Sequence, residues 1–243
     1  THSKFETPGV HGQNFAREVL LHTNPEANEL TGACRFRELL GKMNYAMCWT
    51  RPDVATVLGL LARHQNCYYK MHWKALRHCA VYMINTKDRC LRFSAPAGAE
   101  DDHLNLISFV DSDFSGDVET SKSRTGYVYM LCGAPVVWRS TLQSITAQST
   151  CEAEYVAANS AAREAEWCRM MYDDVLQGNY ENGKPGANLK LPLLLMEDNQ
   201  GCIALAKNFM VTARTKHFRL RWHYIRPVSY THLTCRRAQL CRS

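Results

Sequence analysis

The sequence predicts an α/β domain built on a mixed sheet, preceded by a small helical segment. Three observations predict it. A short apolar run, LISFV from Leu106, leads through two tight turns into two more β-rich runs. A long helical pattern follows, with Glu154 near its start. A further apolar run, LPLLLM, then ends at Asp198. Turns this short make the first three strands an antiparallel meander. The long helix before the fourth strand permits a crossover, and so a parallel partner.

Composition sets the bounds. The 243 residues have room for one medium domain and a smaller one. No apolar run approaches the ~20 residues that cross a bilayer, so no membrane span is expected. The start, THSKFETPGV, has no apolar core of a signal peptide and no initiator Met, so the chain is expected to be a fragment. The 11 cysteines are scattered singly, without a Cys-x-x-Cys pair. They read as reduced thiols of an intracellular protein, mostly small core residues. His64, Cys67, His72, His78 and Cys79 lack a clean second ligand pair for zinc. The net charge of +6 is uneven: residues 1–105 carry 13 Lys+Arg against 10 Asp+Glu, residues 106–227 carry 13 against 13, and residues 228–243 carry 3 Arg and no acid. This balance permits a nucleic-acid partner without demanding one.

Residues 1–31 read as an irregular leader broken by Gly9, Gly12 and Pro25. Residues 32–93 read as helical. Phe36, Leu39, Leu40, Met43 and Met47 form a stripe at three-and-four spacing. Pro52 suits a helix first turn, with Thr50 as a candidate cap. Helices are expected over 54–64 and 71–85. Lys70, Lys74, Arg77 and Lys87 are candidates to touch phosphate, against the plainer reading of a solvated face. Residues 94–105, SAPAGAEDDHLN, are a linker by composition.

Residues 106–227 hold the α/β domain. Leu106–Val110 carries apolar residues on both parities, as a central strand buried on both faces would. Thr125–Leu131 and Val136–Trp138 complete the meander. Ser149 and Glu152 make the S-x-x-E pattern of a capping box at the head of the long helix. Ala157, Ala158, Ala161, Ala165, Cys168 and Tyr172 then share one stripe, with Glu154 at its head. Glu152 lies about 200° round the helix from Glu154 at 3.6 residues per turn. The rotation therefore picks Glu154 as the inward acid and Glu152 as the cap. After a Gly/Asn-rich loop, a fourth strand is expected over 191–196 and a short helix over 199–207. Asp198 can cap that helix. The basic stretch 215–226 reads as helical.

Three acids at element edges are what a divalent-metal phosphodiester site needs. Asp111 ends the first strand, but Asp113 shares its parity, so alternation alone does not separate them.

At these residues a family resemblance becomes plain. VDSDFSGD, KSRTGYVYML, CEAEYVAA and EDNQGCIALAKN, in that order, resemble the RNase H domain of copia-type LTR retrotransposon Pol polyproteins. TRPDVATVLGLLARH and HWKALRHCAVYMINTKD resemble the connection segment between that family's reverse transcriptase and its RNase H. The resemblance covers roughly residues 32–226. It implies an RNase H-like sheet and Mg²⁺-dependent hydrolysis of RNA in RNA–DNA hybrids, with a two-metal site and Mn²⁺ as an alternative ion. It assigns the metal to Asp111, the first acid of VDSD, together with Glu154 and Asp198. It also implies the rest of the Pol polyprotein as partner, and an intracellular, cytoplasmic particle with access to the nucleus. The rival reading is a non-catalytic nucleic-acid-binding remnant. An integrase-type nuclease would show different acid spacing.

The sequence departs from the family near its end. Arg219 stands where the family usually has Asp. The family's fifth strand and the fourth acid on its last helix are not recognisable. Residues 228–243, opening VSYTHLT, read as a non-native tail resembling a translated sequencing adapter, and are expected to form no strand.

Overall fold

The computed structural model describes residues 7–9, 35–94, 106–176, 193–207 and 233–237. Expectations for the leader, the linker, the Gly/Asn-rich loop and the 215–226 stretch lie outside them, apart from residues 7–9 and Ser94. The chain forms two compact units: Thr1–Leu91 with Ser115–Lys122 and Ser140–Leu142, and Arg92–Phe114 with Ser123–Arg139 and Gln143–Ser243.

The first unit is helical. Helix α1 spans Phe36–Trp49, a 3₁₀ turn spans Pro52–Val54, and α2 and α3 span Ala55–Ala62 and Lys70–Asn85. The sequence stripe becomes the core: Phe36, Leu40 and Met43 are buried against Leu58, Leu61 and Leu76, with Leu39 and Met47 at the margin. Thr50 is not the cap of the next helix. Its hydroxyl donates back to the Ala46 carbonyl at the end of α1, 3.3 Å away, and Arg51 takes the cap position before Pro52. Arg51 grips Asp53 with two hydrogen bonds of 3.0 and 2.8 Å. The Tyr82 hydroxyl donates to the same carboxylate at 2.7 Å.

The second unit carries the sheet. Strands β1 (Ile107–Asp113), β2 (Arg124–Leu131) and β3 (Ala134–Leu142) precede the long helix α4 (Thr150–Leu176). Strand β4 (Leu193–Glu197), helix α5 (Gln200–Lys207) and strand β5 (Leu233–Arg237) follow. The order is β3-β2-β1-β4-β5, with β1 central. β1 runs antiparallel to β2, Asp111 opposite Gly126, and parallel to β4, Phe109 opposite Met196. This is the mixed sheet the sequence predicts.

Two details differ from expectation. The tail is not without structure: Leu233–Arg237 pairs in parallel with β4, from Leu193↔Leu233 to Glu197↔Arg237. The fifth strand is therefore present. β4 would otherwise expose a row of unpaired N–H and C=O groups, and a strand added there satisfies them whatever its side chains. β1 is also not buried on both faces. Ser108, Val110 and Ser112 are buried, but Phe109 is 44% exposed. Apolar residues on both parities record composition, and only one parity faces the main core.

That core is α4 against the sheet. Ala157, Ala158, Ala161, Ala162 and Ala165 are fully buried against Val110, Tyr127, Tyr129 and Leu195. With methyl groups on its inner stripe the helix can approach the sheet closely. The Tyr129 hydroxyl reaches the Ala161 carbonyl at 2.5 Å, which spends that buried polar group. Cys202 and Ala206 of α5 join the same core. Among the described cysteines, Cys79, Cys168 and Cys202 are buried while Cys48, Cys67 and Cys90 are exposed, so small-core packing accounts for only some of them.

Candidate metal centre

Three elements of the second unit end at one place. Asp111 stands near the C-terminal end of the central strand, Glu154 in the first turns of α4, and Asp198 just after β4. Each offers one carboxylate oxygen, and the three oxygens lie within 4.8 Å of one another. Among the described residues this is the only group of three acids, histidines or cysteines so placed. Asp113, inseparable from Asp111 by alternation, is not in it. Nor are the histidines of the first unit. His64 stacks on His72 with ring centroids 4.0 Å apart, and His72 Nδ1 accepts the Tyr69 N–H at 2.9 Å. Lys70, Lys74, Arg77 and Lys87 are exposed.

Local chemistry fixes each acid. At the head of α4 the Ser149 hydroxyl accepts the Glu152 N–H at 3.1 Å. Glu152 reaches back to the Gln148 N–H at 2.7 Å, one residue beyond the N-cap itself. Glu152 is thus the cap, as the rotation argument requires; it is buried like Glu154, and only Glu154 joins the converging acids. Gln143 ties the same turn to the sheet, donating to Thr125 Oγ1 at 3.1 Å and to the Ala153 carbonyl at 2.9 Å. No residue pattern announces this brace.

Asp198 does not cap α5. Asn199 does, its Oδ1 accepting the Cys202 N–H at 3.0 Å. The Asp198 carboxylate is exposed, as is that of Asp111, while Glu154 is buried. One Glu154 oxygen, Oε2, is buried without a hydrogen-bond partner. Burial, then the Asp111 and Asp198 charges, push the Glu154 carboxyl up from 4.5 to about 7. A buried oxygen with no donor, converging with two other carboxylates, is a costly arrangement for stability alone. A hard divalent cation, which prefers oxygen ligands, fits it.

A fourth carboxylate was missed. Glu197 ends β4 on the parity of Leu193 and Leu195, and all three are buried. Its Oε1 accepts the Asn199 N–H at 3.0 Å, and its Oε2 is buried without a partner. Burial, and after it the neighbouring acids, raise its carboxyl to about 8. The signal was available: alternation through LLLME places Glu197 inside.

Known proteins with similar sequences include Pol polyproteins of plant transposons. The chain is 35% identical over 191 residues to the retrovirus-related Pol polyprotein from transposon TNT 1-94 of Nicotiana tabacum, a match spanning 79% of this chain and 13% of that protein. It is 26% identical over 209 residues to the Pol polyprotein from transposon RE2 of Arabidopsis thaliana, 86% of this chain and 13% of that one. The chain therefore spans about an eighth of these relatives' length. It is also 36% identical over 128 residues to the secreted RxLR effector protein 161 of Plasmopara viticola, 53% of this chain and 87% of that protein. No family model matches. Among solved structures, an RNase H1 isolated from compost aligns with 56% of this chain and 84% of its own, at 13% identity and a TM-score of 0.39.

Proposed function

We propose, on the premise that this chain belongs to the Pol polyproteins of copia-type retrotransposons, that its sheet unit is a metal-dependent ribonuclease H domain. The substrate is the RNA strand of an RNA–DNA hybrid formed during reverse transcription. The ligands are Asp111, Glu154 and Asp198, and the ion is Mg²⁺, with Mn²⁺ as an alternative. The observation that carries the reading is the convergence of these three carboxylates at one sheet end, one oxygen of Glu154 buried and unpartnered.

A divalent ion held there supplies an acidified water and charge neutralisation at the leaving oxygen. The protein's own part is to hold its acids in place before the ion arrives. α4 presents Glu154 from beneath the sheet, with the capping turn and Gln143 fixing its first turn. Asp111 and Asp198 face solvent, where a phosphodiester can approach. Near neutral pH the apo site holds Glu154 partly protonated. Releasing that proton couples metal binding to pH. Hybrid affinity comes from backbone phosphates and helix shape rather than base identity. The surrounding Pol polyprotein is the proposed partner, and the cytoplasmic retroelement particle the proposed location. Among the described residues no helix is long and apolar enough to cross a membrane.

The test is Mg²⁺-dependent cleavage of a labelled RNA–DNA hybrid, with duplex RNA as control. Cleavage of the hybrid alone, lost in Asp111→Asn, is the expected result. Binding of the hybrid without metal-dependent cleavage would replace the nuclease by a non-catalytic nucleic-acid-binding remnant.

A further inference from the structure

Asp198 is the least anchored of the three acids, since it belongs to neither the strand before it nor the helix after it. Both of its neighbours, however, are pinned. On one side, Glu197 Oε1 accepts the Asn199 N–H at 3.0 Å. That bond closes a small ring through the backbone of Asp198 itself. On the other side, Asn199 Oδ1 accepts the Cys202 N–H at 3.0 Å and starts α5. Gly201 lets this turn lie against α4. A Cβ there would stand 3.1 Å from both Asn199 Oδ1 and Cys151 Sγ, the latter in the first turn of the helix that carries Glu154.

Glu197 is an expensive way to close a turn. It is fully buried, one of its oxygens has no partner, and its parity is otherwise filled by Leu193 and Leu195. An apolar side chain would fill that space at lower cost, but it could not accept the Asn199 N–H.

We propose that Glu197 is a positioning residue, whose buried carboxyl group clamps the 198–199 turn and so presents Asp198 to Asp111 and Glu154. The inference rests on the metal-site reading above for its consequence, though the clamp itself exists without metal. Glu197 is not among the three converging acids and acts through Asp198.

The experiment combines Mg²⁺ calorimetry with hydrogen exchange of the Asn199 amide, on wild type, Glu197→Met, Glu197→Gln, Asp198→Asn and the Glu197→Met/Asp198→Asn double variant. Glu197→Leu stands in should Glu197→Met not fold. Glu197→Met is expected to weaken Mg²⁺ binding about 10–100-fold, the usual effect of removing an outer-shell partner, and to expose the Asn199 amide. Glu197→Gln keeps an acceptor oxygen and is expected to rescue both. Because the clamp works through Asp198, the double variant should bind no more weakly than Asp198→Asn alone. Wild-type affinity in Glu197→Met, no rescue by Gln, or losses that add in full would each overturn the proposal. If wild type binds no Mg²⁺, or Asp198→Asn changes nothing, the metal-site reading fails. The clamp is then decided by the amide alone: protection surviving in Glu197→Met refutes it.

Discussion

Glu154→Gln is expected to stabilise the metal-free protein at pH 8 and to do much less at pH 5. The folded-state carboxyl of Glu154 sits at about 7, above its ordinary 4.5. The folded protein therefore holds this proton more tightly than the unfolded chain does. The associated stability is fully present below about 4.5 and is lost as pH rises through about 7. The separation of roughly 2.5 units, at about 1.4 kcal/mol each, sets a ceiling of roughly 3 kcal/mol. Most of it, about 2–3 kcal/mol, falls between pH 5 and pH 8. Gln has the same shape and no charge, so it escapes this loss. Glu197 shifts in the same direction, but it is common to both proteins, so the quantity to read is the difference between them. Urea unfolding in EDTA at several pH values gives that difference directly. Thermal melts report it as roughly 2–4 °C per kcal/mol for a chain of this size. Mg²⁺ at a hundred times Kd should close most of this gap, since only wild type keeps the full ligand set and about 2.7 kcal/mol accrues there. A wild-type-to-variant difference that is flat from pH 5 to pH 8 would show that Glu154 is not a strained acid, and the argument from its buried oxygen would fall with it.

Asp111→Asn should abolish hybrid cleavage and sharply weaken Mg²⁺ binding while leaving the apo fold intact by circular dichroism, since the residue is exposed; surviving activity would show the site misplaced. Ser149→Ala should cost about 1 kcal/mol, the usual price of a lost N-cap, read as a shifted urea midpoint, with Mg²⁺ affinity falling only to the extent that the first turn of α4 frays. Tyr82→Phe should destabilise the helical unit by about 1–3 kcal/mol by leaving the Asp53 carboxylate one donor short, without changing Mg²⁺ binding to the sheet unit; an unchanged melt would mean that Arg51 alone satisfies that carboxylate.

The head of α4 was legible in the sequence, whereas the caps expected at Thr50 and Asp198 and most of the tertiary contacts were not. Helical rotation separated the roles of Glu154 and Glu152, because a helix has a fixed period and its inner stripe is marked by alanines. Strand alternation could not tell Asp111 from Asp113, because both lie on one parity, and only the position of α4 and β4 around the strand end selects the first. Asp198 was a fair candidate for a cap, but Asn199 is one residue nearer the helix and takes the role. The fifth strand escaped notice because LTCRR has no alternating pattern, and what makes it a strand is the open edge of β4. Glu197 is obscured by Asp198 beside it, the acid that stands at the element edge. Alternation through Leu193 and Leu195 nonetheless places its carboxyl at an inward strand position, where an acid is uncommon.

The five alanines of α4 that pack in the sheet core are usually thought of as what lets a helix come near a sheet. They are also a spacer of fixed thickness. A side chain larger than methyl at Ala157, Ala158, Ala161, Ala162 or Ala165 meets packed atoms, and the helix answers by moving as a rod. Glu154 rides on the end of that rod, so it moves too, and a shift of about 1 Å at a reacting centre can cost about a hundredfold in rate. Enlarging one of these methyl groups should therefore register first in metal affinity and cleavage, at a point in the chain that touches neither metal nor nucleic acid.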